Sequence, residues 1–204
     1  MNLQEYLNKW SALHGNAKLS KVVTGWLRIS YWIVKPIMKI GVSANAISVL
    51  GLVLGVLTYL QAKSVFAILW IALSLICDGL DGTVAILKGT TSKFGAVFDS
   101  VIDRATEVFW LLALYEIGLS PILLMIFFLI SSLQEYLRAR AGGVGFTSVA
   151  VVTWAERPVR AIFIFMILIG YQINFAYLTW IVWLMLVLQS TAFIKLSLII
   201  KKSL

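Results

Sequence analysis

A run of 34 uncharged residues spans positions 161–194 and reads AIFIFMILIGYQINFAYLTWIVWLMLVLQSTAFI. As a single α-helix this run would be about 51 Å long, whereas the apolar core of a bilayer is roughly 30 Å thick. The run therefore predicts two membrane-spanning helices, and its polar segment 171–174 predicts the turn that separates them.

The rest of the chain has the same apolar character. Of its 204 residues, 61% are hydrophobic and 13% are charged, whereas soluble domains contain about 45–50% apolar and about 25% charged residues. This composition excludes a soluble globular enzyme, and the single cysteine excludes a disulfide-stapled domain. We predict an all-α membrane protein with six transmembrane helices, near residues 45–61, 65–88, 95–116, 119–140, 157–171 and 175–197.

Residues 1–40 have a different pattern, in which apolar side chains recur at helical spacing. The first stripe consists of Leu3, Tyr6, Leu7, Trp10 and Leu13. Such a pattern is typical of amphipathic helices that lie in the membrane interface. We therefore expect an interfacial amphipathic segment over 1–40 and a six-helix membrane domain over 41–204.

The basic residues predict how the helices are oriented. With six helices, both termini lie on one side of the membrane, and that side receives nearly all of the Lys and Arg residues. Arg104 lies within the third helix, and Lys63 alone falls on the opposite side. The positive-inside rule makes the basic side cytoplasmic. The net charge of +8 then reflects topology and attraction to anionic membrane lipid rather than a nucleic-acid partner.

Four of the nine acidic residues lie between positions 78 and 103, inside the predicted second and third transmembrane helices. Asp78 and Asp81 are three positions apart and Asp99 and Asp103 are four apart, so each pair projects from one helix face. A short turn between the helices brings the two pairs to similar depths. Because ionised carboxylates are costly in lipid and oxygen ligands suit Mg²⁺ or Mn²⁺, the pattern predicts a site for two such ions. A carboxylate-lined path for a cation or proton is the alternative that the acids leave open.

The acidic stretch also matches a longer pattern. It begins DGLDGTVAI at Asp78 and continues, after eight residues, to Gly95, Asp99 and Asp103. This arrangement resembles the CDP-alcohol phosphotransferase signature, D-x2-D-G-x2-A-R-x8-G-x3-D-x3-D, and agrees at seven of the eight fixed positions. Members of that family have six membrane helices preceded by an interfacial helix, and many are homodimers. They commonly carry Pro-Asn before the first transmembrane helix, and here Asn45 retains the asparagine.

The resemblance implies a reaction and a set of site residues. Family enzymes transfer a phosphate-linked group from a CDP-linked donor, often CDP-diacylglycerol, to an alcohol and release CMP. By position, the four aspartates are expected to bind the metal ions, and Asp103 is also expected to act as the catalytic base on the acceptor hydroxyl. The residues expected to bind the donor nucleotide are Asn45, Gly82, Ala85 and Gly95.

One fixed position departs from the family pattern, because Ile86 stands where the family usually has arginine. The change predicts altered donor handling, weaker activity or, at the extreme, a catalytically inactive homologue that serves as a membrane scaffold.

A group of basic residues near the predicted cytoplasmic ends of helices four to six has two interpretations. The residues either bind the phosphate of the acceptor or only anchor the helix ends at the membrane surface. The group comprises Arg138, Arg157, Arg160 and Lys195.

Together these features predict an integral cytoplasmic-membrane CDP-alcohol phosphatidyltransferase of phospholipid synthesis, with its active site on the cytoplasmic side and a homodimeric assembly. The expected substrates are CDP-diacylglycerol and a phosphorylated polyol, with a phosphatidylglycerophosphate synthase favoured over a phosphatidylinositol phosphate synthase. The alternatives are a cation transporter and the inactive scaffold. The apolar outer halves of the second and third helices argue against a path through the membrane.

Overall fold

The computed structural model describes residues 1–13, 15, 19–145 and 153–203, and within these ranges the regular structure is helical throughout. A 3₁₀ turn, Met38–Ile40, follows the second helix. The α-helices are α1 Leu3–Leu13, α2 Lys21–Ile37, α3 Ala44–Leu60, α4 Phe66–Lys88, α5 Lys93–Glu116, α6 Pro121–Gly143, α7 Arg157–Gln172 and α8 Leu178–Ser203. Helices α3 to α8 occupy the positions of the six predicted helices, and the largest difference is that α8 extends to Ser203 instead of ending near residue 197.

The expected six membrane spans are not confirmed by helix length and composition. Within the described ranges, α4, α6 and α8 are long and apolar enough to cross a bilayer. Helices α2 and α3 pass that test only as a pair, which is bent by 109° at its break. Helices α3 and α7, with 17 and 16 residues, are shorter than the roughly 20 residues that a crossing needs, and α5 carries several charges in its middle. That residues 1–40 lie in the membrane interface also stays a prediction. The domain boundary after residue 40 stays a prediction as well.

Local sequence explains where the helices next to the acidic stretch begin and end. Helix α2 begins after Ser20, whose Oγ accepts a hydrogen bond from the backbone N–H of Val23 at 3.2 Å. Helix α4 gives way to a turn at Gly89, whose φ of +69° is unfavourable for a residue with a Cβ. Helix α5 then begins after Ser92, whose Oγ accepts from the N–H of Gly95 at 2.9 Å. The connection between α4 and α5 is therefore short and capped.

The described residues pack into two compact units. The first unit comprises Met1–Val53 and Leu73–Ala105, and so contains α1, α2 and the parts of α3, α4 and α5 that carry the signature. Its hydrophobic core is formed by Tyr6, Leu7, Leu27, Tyr31 and Ile86.

The second unit comprises Leu54–Ala72 and Thr106–Leu204. In this unit α6 packs on α8, and Ala141, Leu196 and Ile200 are buried between them. A chain of buried hydrogen bonds runs beside them, in which Gln189 donates to Gln134 at 2.9 Å and Gln134 donates to Thr153 Oγ1 at 3.2 Å. Such internal pairing satisfies polar side chains that would otherwise be exposed to an apolar environment.

Candidate active site

Three aspartates of the first unit converge on one point. Asp78 of α4 and Asp99 and Asp103 of α5 each place a carboxylate oxygen within 4.8 Å of the others, and all three side chains are half-buried. Oxygen ligands of a single Mg²⁺ or Mn²⁺ ion lie about 3–4 Å apart, so small rotations would let these carboxylates share an ion. A hard, anionic, all-oxygen donor set fits the divalent cation that the sequence predicts.

Asp81 lies next to this group but is held differently. Its side chain is 5% exposed, and Ser48 Oγ on α3 donates a hydrogen bond to its Oδ2 at 2.6 Å. The backbone N–H of Gly82 donates to Oδ1, also at 2.6 Å. The four predicted metal ligands are therefore brought together as a group of three with Asp81 beside it.

A cavity of about 540 Å³ opens beside these acids within the first unit. Asp81 and Asp99 line it, and so do all four residues that were expected to bind the donor, namely Asn45, Gly82, Ala85 and Gly95. The connection between α4 and α5 contributes Thr90, Thr91 and Ser92, and α5 contributes its first residue, Lys93. The cavity thus combines anionic groups, hydroxyl groups and an apolar portion, as a site for a polar headgroup with an apolar tail requires.

The two signature glycines in the cavity have different surroundings. A Cβ added at Gly82 would meet no atom within 4 Å and would project into open space. A Cβ added at Gly95 would lie 3.0 Å from Ser92 Oγ, the oxygen that caps α5. Gly82 therefore keeps room in the cavity, whereas Gly95 keeps room for the helix cap.

The position that departs from the family pattern lies on the boundary of the cavity. Ile86 lines the cavity and is also buried in the hydrophobic core of the first unit. Lys88, the nearest basic residue of the same helix, donates from Nζ to the backbone oxygen of Val42 at 2.7 Å. Lys88 thus ties the end of α4 to the segment before α3 in this structure.

Ser48 and Leu13 line the cavity and were not predicted from the sequence as site residues. Ser48 could have been found, because it lies three residues after Asn45 and so shares a face of α3 with it. Leu13 lines the cavity from the end of α1. The sequence placed Leu13 in an apolar stripe, and that pattern does not distinguish a cavity-lining residue from a membrane-facing one.

The basic residues of the second unit are partly engaged by carboxylates. Arg160 is 1% exposed and donates from Nε to Glu107 Oε1 at 2.6 Å. Arg138 donates to both oxygens of Glu156, at 2.8 and 3.1 Å. Glu135 lies 3.7 Å from both guanidinium groups and so joins the two pairs.

The other two basic residues of that group contact aromatic rings. The guanidinium carbon of Arg157 lies 5.1 Å from the centre of the Trp110 ring. The Nζ of Lys195 lies 4.3 Å from the centre of the Trp154 ring, and within the described ranges no carboxylate pairs with Lys195. The ring contact attracts the Lys195 ammonium group without neutralising its charge.

Glu156, the carboxylate that pairs with Arg138, lies at the N-cap of α7. Burial pushes its pKa upward, but hydrogen bonds from Arg138 and from the backbone and side chain of Thr153 outweigh burial and hold the pKa below its ordinary value of 4.5. The carboxylate is therefore ionised at neutral pH and compensates the charge of Arg138.

The chain resembles two curated archaeal enzymes. It is 32% identical over 136 residues to the archaetidylinositol phosphate synthase of Pyrococcus horikoshii, a match that covers 64% of this chain and 71% of that protein. It is 34% identical over 87 residues to the archaetidylinositol phosphate synthase of Aeropyrum pernix, and this match covers 43% of this chain and 45% of that protein. The chain thus aligns with less than half of the latter protein.

The fold resembles that of the phosphatidylinositol phosphate synthase of Mycobacterium tuberculosis, which was solved with CDP-DAG bound. The TM-score is 0.67 and the sequence identity is 22%, with coverage of 85% of this chain and 94% of that one. A family model described as CDP-alcohol phosphatidyltransferase matches residues 42–194, which include all of the signature residues described above. This chain is a member of the CDP-alcohol phosphatidyltransferase family, whose members are membrane transferases of phospholipid synthesis.

Proposed function

We propose that this chain transfers a phosphatidyl group from CDP-diacylglycerol to a hydroxyl group of inositol phosphate and releases CMP. The observation that carries the proposal is the convergence of Asp78, Asp99 and Asp103 beside a cavity that Asp81 and Asp99 line. Family membership supplies the reaction class, and the site supplies carboxylates of the number and kind that a diphosphate substrate requires.

The reaction exchanges one phosphorus–oxygen bond for another. The acceptor oxygen bonds to the phosphorus of the phosphatidyl group, the bond from that phosphorus to the CMP phosphate breaks, and CMP leaves. We assign the proton of the acceptor hydroxyl to Asp103, because a half-buried carboxylate within the acidic group can accept it at the reacting phosphate.

The acidic group is also the place for the metal ions. Asp78, Asp99 and Asp103 would hold one Mg²⁺ or Mn²⁺ ion, and Asp81 with Asp99 would hold a second. When bound, such ions neutralise the diphosphate and stabilise the charge that develops on the departing CMP. Ser48 positions Asp81 for this task by its hydrogen bond to Oδ2.

The donor occupies the cavity in this proposal. Asn45 offers an amide to the polar part of the donor, and Gly82, Ala85 and Gly95 present little bulk, so the donor headgroup can approach the backbone. The bound CDP-DAG in the Mycobacterium tuberculosis structure supports CDP-diacylglycerol as the donor.

The names of the three relatives described above favour inositol phosphate as the acceptor. The two archaeal enzymes are archaetidylinositol phosphate synthases and the Mycobacterium tuberculosis enzyme is a phosphatidylinositol phosphate synthase, which supports that acceptor over the glycerol phosphate favoured by the sequence. Among the basic residues proposed to bind the acceptor phosphate, we favour Lys195, which contacts the Trp154 ring, and Arg157, which lies in the first turn of α7, where backbone N–H groups also favour anions. Arg138 and Arg160 donate to Glu156 and Glu107, so we assign them mainly to holding the helices together.

The remaining features of the proposal concern the membrane. Following the positive-inside rule, we place both termini and the active site on the cytoplasmic side, where a CDP headgroup can enter from water while its acyl chains remain in lipid. We also propose a homodimer, as in many members of the family.

The test is CMP release by the purified full-length chain in lipid vesicles. CDP-diacylglycerol and Mg²⁺ or Mn²⁺ are supplied with inositol phosphate, glycerol 3-phosphate, inositol or serine, one acceptor at a time. We expect release with inositol phosphate, and its loss with a chelator or in Asp103→Asn. The matched control is Glu116→Gln, which removes an acid outside the site and should retain activity.

Other outcomes would contradict parts of the proposal. Release with glycerol 3-phosphate alone would return the function to a phosphatidylglycerophosphate synthase. No release with any acceptor, together with binding of the donor, would identify an inactive homologue and direct attention to Ile86. Metal-dependent cation flux into the vesicles without any CMP release would support the transporter instead.

A further inference from the structure

The N-terminal helix α1 lies outside residues 42–194, the part of the chain that the family model matches. It nevertheless packs directly on the signature. Tyr6 is fully buried, and its hydroxyl group forms a 2.8 Å hydrogen bond with Thr83 Oγ1. Because Thr83 directly follows Gly82, this bond anchors α1 on the turn of α4 that faces the cavity.

Ile86, at the position where the family usually has arginine, belongs to the surface of α4 on which α1 packs. Ile86 is 3% exposed, and its neighbours in the core are Tyr6 and Leu7 of α1 and Leu27 and Tyr31 of α2. A guanidinium group at this position would have to enter an apolar cluster or leave it for the cavity. Isoleucine therefore suits a signature that is covered by the N-terminal helices.

The seating of α1 is reinforced from α2. The rings of Tyr6 and Tyr31 have centres 5.8 Å apart, and the hydroxyl group of Tyr31 donates to the backbone oxygen of Met1 at 3.1 Å. The beginning and middle of α1 are thus held in place, which fixes where its last residue, Leu13, lies.

Leu13 brings α1 to the cavity itself. It lines the apolar side of the cavity together with Ala85 and Ile86. Asp81 and Asp99 also line the cavity. The cavity therefore has an acidic part and an apolar part. The acidic part suits an ion-bound diphosphate by charge, and the apolar part suits the flat face of a pyrimidine base. Leu13 is 52% exposed, so a large part of its side chain is available for contact.

We propose that Leu13 and Ala85 form the apolar wall against which the cytidine of the donor packs, so that α1 is part of the donor site. This inference rests on the proposed function, because it takes a CDP-linked donor as the ligand. Leu13 is then a binding residue from outside the matched region, and Tyr6 is a positioning residue that acts through Thr83.

The experiment uses the full-length chain with Mg²⁺ and CDP, which carries the nucleoside without the lipid. In Leu13→Cys, we expect bound CDP to protect the new thiol from a maleimide reagent. The matched control is Val22→Cys, because Val22 is 82% exposed and does not line the cavity, so its labelling should be unchanged by CDP. The unsubstituted chain measures the background from Cys77, which is buried.

A second variant measures affinity. Leu13→Ser removes most of the apolar contact at an exposed position, and we expect it to raise the Kd for CDP about tenfold without lowering the melting temperature. In Tyr6→Phe, loss of the anchoring hydrogen bond is expected to raise the KM for CDP-diacylglycerol while leaving the KM for the acceptor unchanged. That difference separates positioning of the donor from a general loss of folded protein.

The outcomes distinguish this inference from the proposed function. If the unsubstituted chain binds CDP but Leu13→Cys is not protected and Leu13→Ser binds as tightly, the role of α1 is wrong and the proposed function stands. If protection requires CDP-diacylglycerol and CDP does not suffice, the wall contacts lipid and the assignment to cytidine is overturned. If the unsubstituted chain binds neither compound, the proposed function fails and this inference fails with it.

Discussion

The guanidinium of Arg160 and the carboxylate of Glu107 form an ion pair that is closed to solvent. Nε lies 2.6 Å from Oε1, and the side chains are 1% and 0% exposed. Nη1 of Arg160 also donates to the backbone oxygen of Ala155 at 2.9 Å. Neither charge reaches water, and the pair links α5 to α7 within the second unit.

Removal of one partner of this pair should destabilise the protein strongly. We expect Glu107→Gln and Arg160→Met each to lower the free energy of unfolding by about 3–5 kcal/mol, because a buried charge loses its nearest countercharge. The double variant Glu107→Leu/Arg160→Leu should be more stable than either. Thermal unfolding in detergent measures these changes. The control is Lys63→Gln at an exposed 3.9 Å pair, where we expect less than about 1 kcal/mol; equal effects at both pairs would contradict the burial.

The hydrogen bond from Ser48 to Asp81 should matter for activity more than for stability. We expect Ser48→Ala to lower kcat/KM roughly tenfold or more, because a hydrogen bond to a charged group contributes about 1.5–3 kcal/mol. Ser74→Ala is the matched control, since Ser74 Oγ is also buried and also links α4 to α3, through a 2.7 Å bond to the oxygen of Gly51. A similar loss of kcat/KM in both variants would show that only helix packing was disturbed.

Binding of Mn²⁺ should depend on the three converging aspartates. We expect Asp78→Asn and Asp99→Asn each to weaken Mn²⁺ binding by about tenfold or more, since a carboxylate ligand loses its charge. Titration followed by the electron paramagnetic resonance of free Mn²⁺ measures this in the absence of substrate. Glu116→Gln should bind Mn²⁺ like the unsubstituted chain, and unaltered affinity in both aspartate variants would exclude the proposed ligand set.

A methyl group at Gly82 should affect the donor and leave folding intact. Because a Cβ there meets no protein atom, Gly82→Ala should be as stable as the unsubstituted chain or more stable by about 0.5–1 kcal/mol. It should raise the KM for CDP-diacylglycerol, since the methyl group occupies the cavity. Gly142→Ala is the control, as Gly142 is also helical with open space beside it but lies outside the cavity lining. Unchanged donor kinetics in Gly82→Ala would place the donor elsewhere.

The stabilising effect of Glu156 should disappear in acid. Its pKa in the folded protein is lower than in the unfolded chain, so its contribution is fully present above the unfolded value, near 4.5, and is lost as the pH falls through the folded value. The melting temperature of Glu156→Gln should therefore lie below that of the unsubstituted chain at pH 7, and the difference should shrink below about pH 4. A difference that grows on acidification would contradict this sign.

The sequence predicted well where the helices lie along the chain, and it predicted less well which of them cross the membrane. Hydropathy and charge locate helices within a few residues, as for α4, predicted at 65–88 and observed at Phe66–Lys88. Whether a helix crosses a membrane depends also on what covers its polar side chains. In α5 the aspartates of the site interrupt the apolar sequence, so composition alone does not qualify it as a span.

The sequence could predict the residues of the site that follow one helix, but not the contacts that the site makes with distant parts of the chain. By itself, the sequence determined that four aspartates lie on two helices with the spacing of the CDP-alcohol phosphotransferase signature, because spacing along a helix is a local property. Only the tertiary structure decided that Asp81 pairs with Ser48, 33 residues away, and Arg160 with Glu107, 53 residues away. It also decided that Tyr6 meets Thr83, 77 residues away, and that Ile86 is buried beneath α1. The physical reason is that these contacts depend on how helices from distant parts of the chain pack, which helical periodicity does not encode.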